Sequence, residues 1–129
     1  MKKIVSSLSF LVIFVLLFQT TSHAQTTGSA TGVRHIVIIT FKPDASRDSI
    51  KALDNLYADL AKNPLVKDFE WGVNVSARDT AELKHIYNTT FASKEDLDNY
   101  RKIPEYKKLF QLSLPIARDV NVVDYTINK

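Results

Sequence analysis

Period-two alternation recurs four times along this chain, and two helically spaced stretches sit between the alternating runs. The first run is Val33-Arg34-His35-Ile36-Val37-Ile38-Ile39-Thr40-Phe41, which ends near Lys42-Pro43. A helix follows, capped by Asp44 or Ser46, with Ile50, Leu53, Tyr57 and Leu60 on one stripe and Asn63-Pro64 as its stop. Asp68 to Val75 alternates again, and after a polar connection from Ser76 the run Lys84-His85-Ile86-Tyr87-Asn88-Thr89-Thr90-Phe91 returns. Ser93 with Asp96 three residues on caps a second helix through Leu97 and Tyr100. Pro104 breaks or restarts that helix, Tyr106, Leu109, Phe110 and Ser113 continue it, and Pro115 ends it. Val120 to Ile127 is the last strand. The order β-α-β-β-α-β predicts a ferredoxin-like α+β fold, an antiparallel four-stranded sheet with both helices on one face.

One sheet face must bury against the helices. His35, Val37, Ile39, Phe69, Trp71, Val73, Tyr87, Val120 and Val122 form the better core face, and Trp71 is expected to be core. Two histidines stand alike on it, each six residues before a phenylalanine. On neighbouring strands, His35, His85 and Tyr87 are expected to converge on one apolar surface, with Tyr57, Tyr100 and Tyr106 on the covering helices. His35, His85 and Tyr100 are the candidate catalytic residues. Val37, Ile39, Leu53, Tyr57, Phe69, Trp71, Tyr87, Tyr106, Val120 and Val122 are the candidate ligand-binding residues.

The opposite face carries Ile36, Ile38, Ile86, Val123, Tyr125 and Ile127 among polar residues. Such a patch exceeds what a monomer ordinarily leaves in water, and at ~25 cal/mol per Å² its burial drives association. These six residues are the expected interface of a two-fold homodimer with its sheets face to face.

Lys2 and Lys3, the apolar run Leu8 to Phe18, and Ser22-His23-Ala24 have the form of a signal peptide cut after Ala24. The apolar run is well short of the roughly 20 residues that span a bilayer. The expected protein is exported, periplasmic or secreted, without a stable membrane anchor. Residues 25–32 are a flexible leader and residues 33–128 the single domain. There are 17 Lys and Arg against 14 Asp and Glu. With the two lysines of the signal removed, the domain is nearly neutral and lacks a basic stripe, which weighs against nucleic acid. No cysteine is present, so disulfides and a lipid anchor are excluded. Two histidines without a carboxylate on the same strand face fall short of a zinc set, although Asp124 approaches from the last strand. Neither a metal nor another cofactor is expected.

The chain resembles the stress-responsive A/B barrel, or Dabb, family from Val33 to Thr126. The matching pieces are Val33-Arg34-His35-Ile36-Val37 with Phe41-Lys42, Phe69-Glu70-Trp71-Gly72-Val73-Asn74-Val75-Ser76, and His85-Ile86. Phe91-Ala92-Ser93 with Asp96-Leu97 and Tyr100, and Val122-Val123-Asp124-Tyr125, complete the set. The resemblance implies a dimeric α+β barrel. It also implies a relation to plant polyketide cyclases, which close a ring by aldol condensation without a cofactor. In those proteins a second-helix histidine is the base and a tyrosine resembling Tyr100 assists. Strand histidines matching His35 and His85 line the pocket, as does a first-helix tyrosine resembling Tyr57. The family's His-Pro-x-His on the second helix is here Ile103-Pro104-Glu105-Tyr106. Tyr106 thus stands at the base position, and a tyrosine with its ordinary pKa of about 10 is a poor base at neutral pH.

Three functions remain open on the sequence. The first is binding of a small, largely apolar molecule between sheet and helices, in a role related to stress. The second is a cofactor-free cyclase-like or lyase activity using the strand histidines and a helix tyrosine. The third is a structural dimer whose tyrosines fill the pocket.

Overall fold

A computed structural model describes residues 32–76 and 82–128. The expected signal peptide and nearly all of the leader lie outside the described residues. The elements run β1 (Val33–Phe41), α1 (Arg47–Leu60), β2 (Val66–Val73), β3 (Lys84–Phe91), α2 (Lys94–Tyr100), α3 (Pro104–Ser113) and β4 (Ala117–Thr126). The four strands form one antiparallel sheet in the order β2-β3-β1-β4, the ferredoxin-like arrangement. No helix among the described residues is long and apolar enough to cross a membrane.

Local chemistry accounts for the helix ends. Ser46 and Ser93 each accept a backbone N–H three residues on, from Ser49 and Asp96, which satisfies a donor left open by the first turn. Pro104 occupies the first turn of α3, where its missing N–H costs nothing, and Ile103 before it is extended. The second helical stretch is therefore two helices, α2 and α3.

β2 starts and ends two residues earlier than its sequence pattern suggested. Asn74 still donates to the Lys84 carbonyl, but the Leu83 carbonyl is taken by the N–H of Phe41. Val75 is left beyond the ladder, almost fully exposed. β4 begins earlier than expected because β1 continues to pair with it through Phe41↔Ala117, past a register shift.

The helices cover the face that carries His35, Val37, Ile39, Tyr87 and Phe91, and these five are buried with Leu53, Tyr57, Leu97 and Tyr100. The central strands β1 and β3 fill this core. The edge strands do not follow. Trp71 is 45% exposed and Val73, Val120 and Val122 are similarly open, against the expectation that they belong to the core. The helical layer lies over the central strands, so β2 and β4 overhang it. On the other face Ile36, Ile38 and Ile86 are half-buried by their neighbours, Val123 and Tyr125 are exposed, and Ile127 lies just past the end of β4.

Leu53 is fully buried in the α1 stripe. Leu53→Ala should lower the unfolding free energy by about 2–5 kcal/mol in denaturant titration, the range for emptying a packed leucine site. A loss well under 1 kcal/mol would mean that α1 does not anchor this core.

Candidate functional site

The two histidines share a face but do not converge. Antiparallel pairing sets His35 opposite Thr89 and His85 opposite Ile39. The two positions are thus four residues apart along β1, about 13 Å at ~3.3 Å per residue. Their equal spacing from a phenylalanine, read on antiparallel strands, places them toward opposite ends of the sheet. Each has its own carboxylate.

His85 belongs to a buried cluster that ties α1 to β3. Its Nδ1 lies 2.9 Å from Asp54 Oδ1, and the Tyr87 hydroxyl donates to the same oxygen at 2.6 Å. The Tyr57 ring stacks on Tyr87 with centroids 3.7 Å apart. Phe41 meets the imidazole edge-on at 5.0 Å, and Trp71 lies at 5.3 Å. Burial and the Asp54 carboxylate push the Tyr87 phenol far above its ordinary pKa, so it stays a hydrogen-bond donor. This cluster is boxed by aromatic rings.

His35 sits in a different setting. Its Nδ1 is 2.6 Å from Asp124 Oδ1, and Arg101 donates from Nη2 to the other Asp124 oxygen at 2.5 Å. Alternation puts Asp124 on this face beside His35, as the register His35↔Asp124 records. Burial lowers the pKa of His35. The adjacent Asp124 opposes that shift and Arg101 adds to it, and the net leaves the imidazole below its ordinary value. The neutral ring gives its Nδ1 proton to the carboxylate, so Nε2 carries the free lone pair. That nitrogen faces the Tyr106 hydroxyl at 3.5 Å. For Asp124, burial raises the pKa, but the hydrogen bonds from His35 and Arg101 outweigh it and hold the carboxyl below its ordinary range.

Beside this group lies a cavity of about 210 Å³ between the sheet and α1 and α3. Val37, Ile39, Val120 and Val122 form its floor, and Tyr57 and Tyr106 stand in its wall, six of the residues the sequence singled out for ligand binding. Leu109, Phe110 and Ser113 of α3, with Leu114 just after it, complete the lining. Leu53, Phe69, Trp71 and Tyr87 do not line it: Leu53 is fully buried, Trp71 and Tyr87 pack with His85, and Phe69 stands across β3 at the level of His35. Tyr100 is buried against Phe91 at 4.9 Å and Tyr106 at 5.3 Å. Burial, with Tyr106 nearby, raises the pKa of Tyr57 and of Tyr100, and Tyr100 adds to the shift at Tyr57, so both remain protonated. Neither hydroxyl has a hydrogen-bond partner among the described residues. A larger hollow of about 540 Å³ lies on the opposite sheet face, among Ile38, Ile86, Glu82, Arg118 and Asn121. The sheet separates it from both histidine side chains, although Lys84 and Ile86 on either side of His85 line it, and it sits on the surface expected to meet a second subunit. Among the described residues no three metal-ligating side chains gather.

Arg101 and Asp54 were not legible as site residues. Asp54 adjoins the α1 stripe beside Leu53, a weak sign that a buried group requires a carboxylate. Arg101 just follows α2, and nothing in the sequence fixes its direction.

One four-stranded antiparallel sheet with its helices on a single face defines a ferredoxin-like α+β protein. The chain belongs to the stress-responsive A/B barrel domain family, whose model matches residues 33–127. It is 32% identical over 96 residues to the stress-response A/B barrel domain-containing protein HS1 of Arabidopsis thaliana, covering 72% of this chain and 87% of that one. Its structure is similar to the hydroxynitrile lyase of Passiflora edulis, with TM-score 0.69 and 26% identity over 78% of this chain and 96% of that one. A dimeric ferredoxin-like protein from Thermobifida fusca shares the fold, with TM-score 0.65 and 15% identity over 76% and 92% of the two chains.

The lowered pKa of His35 has a sign that can be measured. Below its ordinary value of 6.5 an unfolded chain protonates the imidazole while the folded chain resists. Stability contributed by this group is therefore present above pH 6.5 and falls as pH drops from there toward the folded pKa. The Asp124 contribution acts lower, present above 3.8 and lost as pH falls through its depressed folded value. Urea unfolding should show a decline in stability just below pH 6.5 that becomes shallower in His35→Asn. An identical slope in the variant would show that His35 is not the titrating group.

Proposed function

We propose that this protein is exported, acts as a homodimer, and binds a small, largely apolar molecule carrying a hydroxyl or carbonyl oxygen. The observation that carries the reading is the cavity of about 210 Å³, aliphatic on its floor and phenolic in its wall. Its volume is below the usual range of ~300–1,000 Å³ for ligand sites, which favours a molecule of about one ring. Export rests on the basic start, short apolar run and Ser22-His23-Ala24. The dimer is supported by the dimeric Thermobifida fusca neighbour and by the open apolar face. Asn88 on that face gives its Nδ2 to Glu70, while its Oδ1 is buried without a partner in the single chain.

A second reading is a cofactor-free lyase, favoured by the Asp124–His35 pair, which presents a free nitrogen base near the cavity. The structural likeness to a hydroxynitrile lyase supports it and suggests mandelonitrile as a probe.

Native mass spectrometry of residues 25–129, purified from the periplasm, should show a dimer with extra mass on each subunit. A bare dimer that also fails to bind benzaldehyde would speak for a structural dimer without a ligand. Ile38→Lys combined with Ile86→Lys should give a monomer or an unfolded chain in sedimentation. A wild-type-like dimer would place the interface elsewhere. If the lyase reading holds, the wild type releases benzaldehyde from mandelonitrile and His35→Ala loses about 100-fold or more in kcat.

A further inference from the structure

We propose that Tyr106, rather than His35, is the group that touches a molecule in the cavity, and that it passes a proton between that molecule and His35. The inference rests on the lyase reading of the same site and names the contact through which it acts.

The geometry separates base from cavity. His35 is 2% exposed and does not line the cavity, whereas Tyr106 does. The Tyr106 hydroxyl lies 3.5 Å from Nε2 of His35, a long contact of the sort that tightens when a substrate is bound. Behind the imidazole, Asp124 receives the Nδ1 proton at 2.6 Å and Arg101 holds the second carboxylate oxygen at 2.5 Å. The charged and titratable groups facing His35 come from three elements: Asp124 from β4, Arg101 from the end of α2, and Tyr106 from α3. Carboxylate, imidazole and hydroxyl in series are the parts of an activated-hydroxyl relay. In this chain the hydroxyl is a phenol that acts as a proton carrier.

The proton count closes. A substrate hydroxyl gives its proton to the Tyr106 oxygen as the Tyr106 proton moves to Nε2 of His35. The imidazolium so formed is paired with Asp124. For mandelonitrile, the alkoxide electron pair forms the carbonyl as the carbon–carbon bond to cyanide breaks. The departing cyanide then takes a proton back along the same chain, so benzaldehyde and hydrogen cyanide leave and the enzyme is restored. Neither an oxidant nor a co-reactant is required.

Tyr106→Phe keeps the ring packing against Tyr100 and Phe110 and removes only the hydroxyl. Two readouts separate failure of the relay from failure of the lyase reading. The first is the Nε2 resonance of His35 in nitrogen-labelled protein without ligand. It should move toward that of a free imidazole nitrogen in Tyr106→Phe. An unchanged resonance overturns the relay, whatever turnover shows. The second is mandelonitrile cleavage, where Tyr106→Phe should lose about 100-fold in kcat with KM little changed. Full kcat in the variant overturns the relay even if the resonance moves. A wild type inert toward mandelonitrile counts against the lyase reading, and the resonance alone then decides whether Tyr106 engages His35.

Discussion

The antiparallel pairing of β1 with β3 at the centre of the sheet is the constraint on which the remaining structure hangs. It sets Val37 opposite Tyr87 and Ile39 opposite His85, so the buried face is fixed residue by residue. A slip of one residue would turn every one of these side chains to the other face. α1 can dock only where Tyr87 offers a ring for Tyr57 and where Asp54 finds both Tyr87 and His85. β4 then extends the sheet from the other side of β1 and brings Asp124 beside His35. Both histidine sites are consequences of register.

Two histidines of one type on one surface have acquired different environments. At His85, the Asp54 oxygen is shared with Tyr87 and aromatic rings close the remaining sides, so the group knits helix to sheet. At His35, the carboxylate is shared with a guanidinium, and the far nitrogen looks toward a phenol in the wall of a cavity. A carboxylate that accepts from both a cation and an imidazole is costly to protonate, which keeps it available to orient the ring. The difference lies in what stands on the far side of each ring.

Much of the fold was legible because alternation and capping act locally. The four strands, the Ser46 and Ser93 caps and the Pro104 restart all follow from neighbouring residues. The misplacement of Trp71, Val73, Val120 and Val122 in the core has a global cause. Period two assigns a face, but the extent of the helical layer decides whether an edge strand is covered. The convergence expected of His35 and His85 failed for a related reason, since shared face says nothing of position along the strand. Asp124 could be assigned to the right face, whereas Arg101 depends on a helix end whose orientation only the packed chain fixes. Tyr106, which stands where the family's pattern has a histidine in Ile103-Pro104-Glu105-Tyr106, lies in the cavity wall.

The break between α2 and α3 has a consequence for the angle at which groups reach His35. In one uninterrupted helix, residues 101 and 106 would be about 140° apart around the axis, at 3.6 residues per turn. A guanidinium and a phenol so placed would diverge to different sides of the helix. The extended Ile103 and the fresh start at Pro104 reset the rotation, which lets Arg101 reach the carboxylate behind the imidazole while Tyr106 faces its front. The proline thus acts as the joint of a pincer, and straightening it would open the jaws without altering either tip.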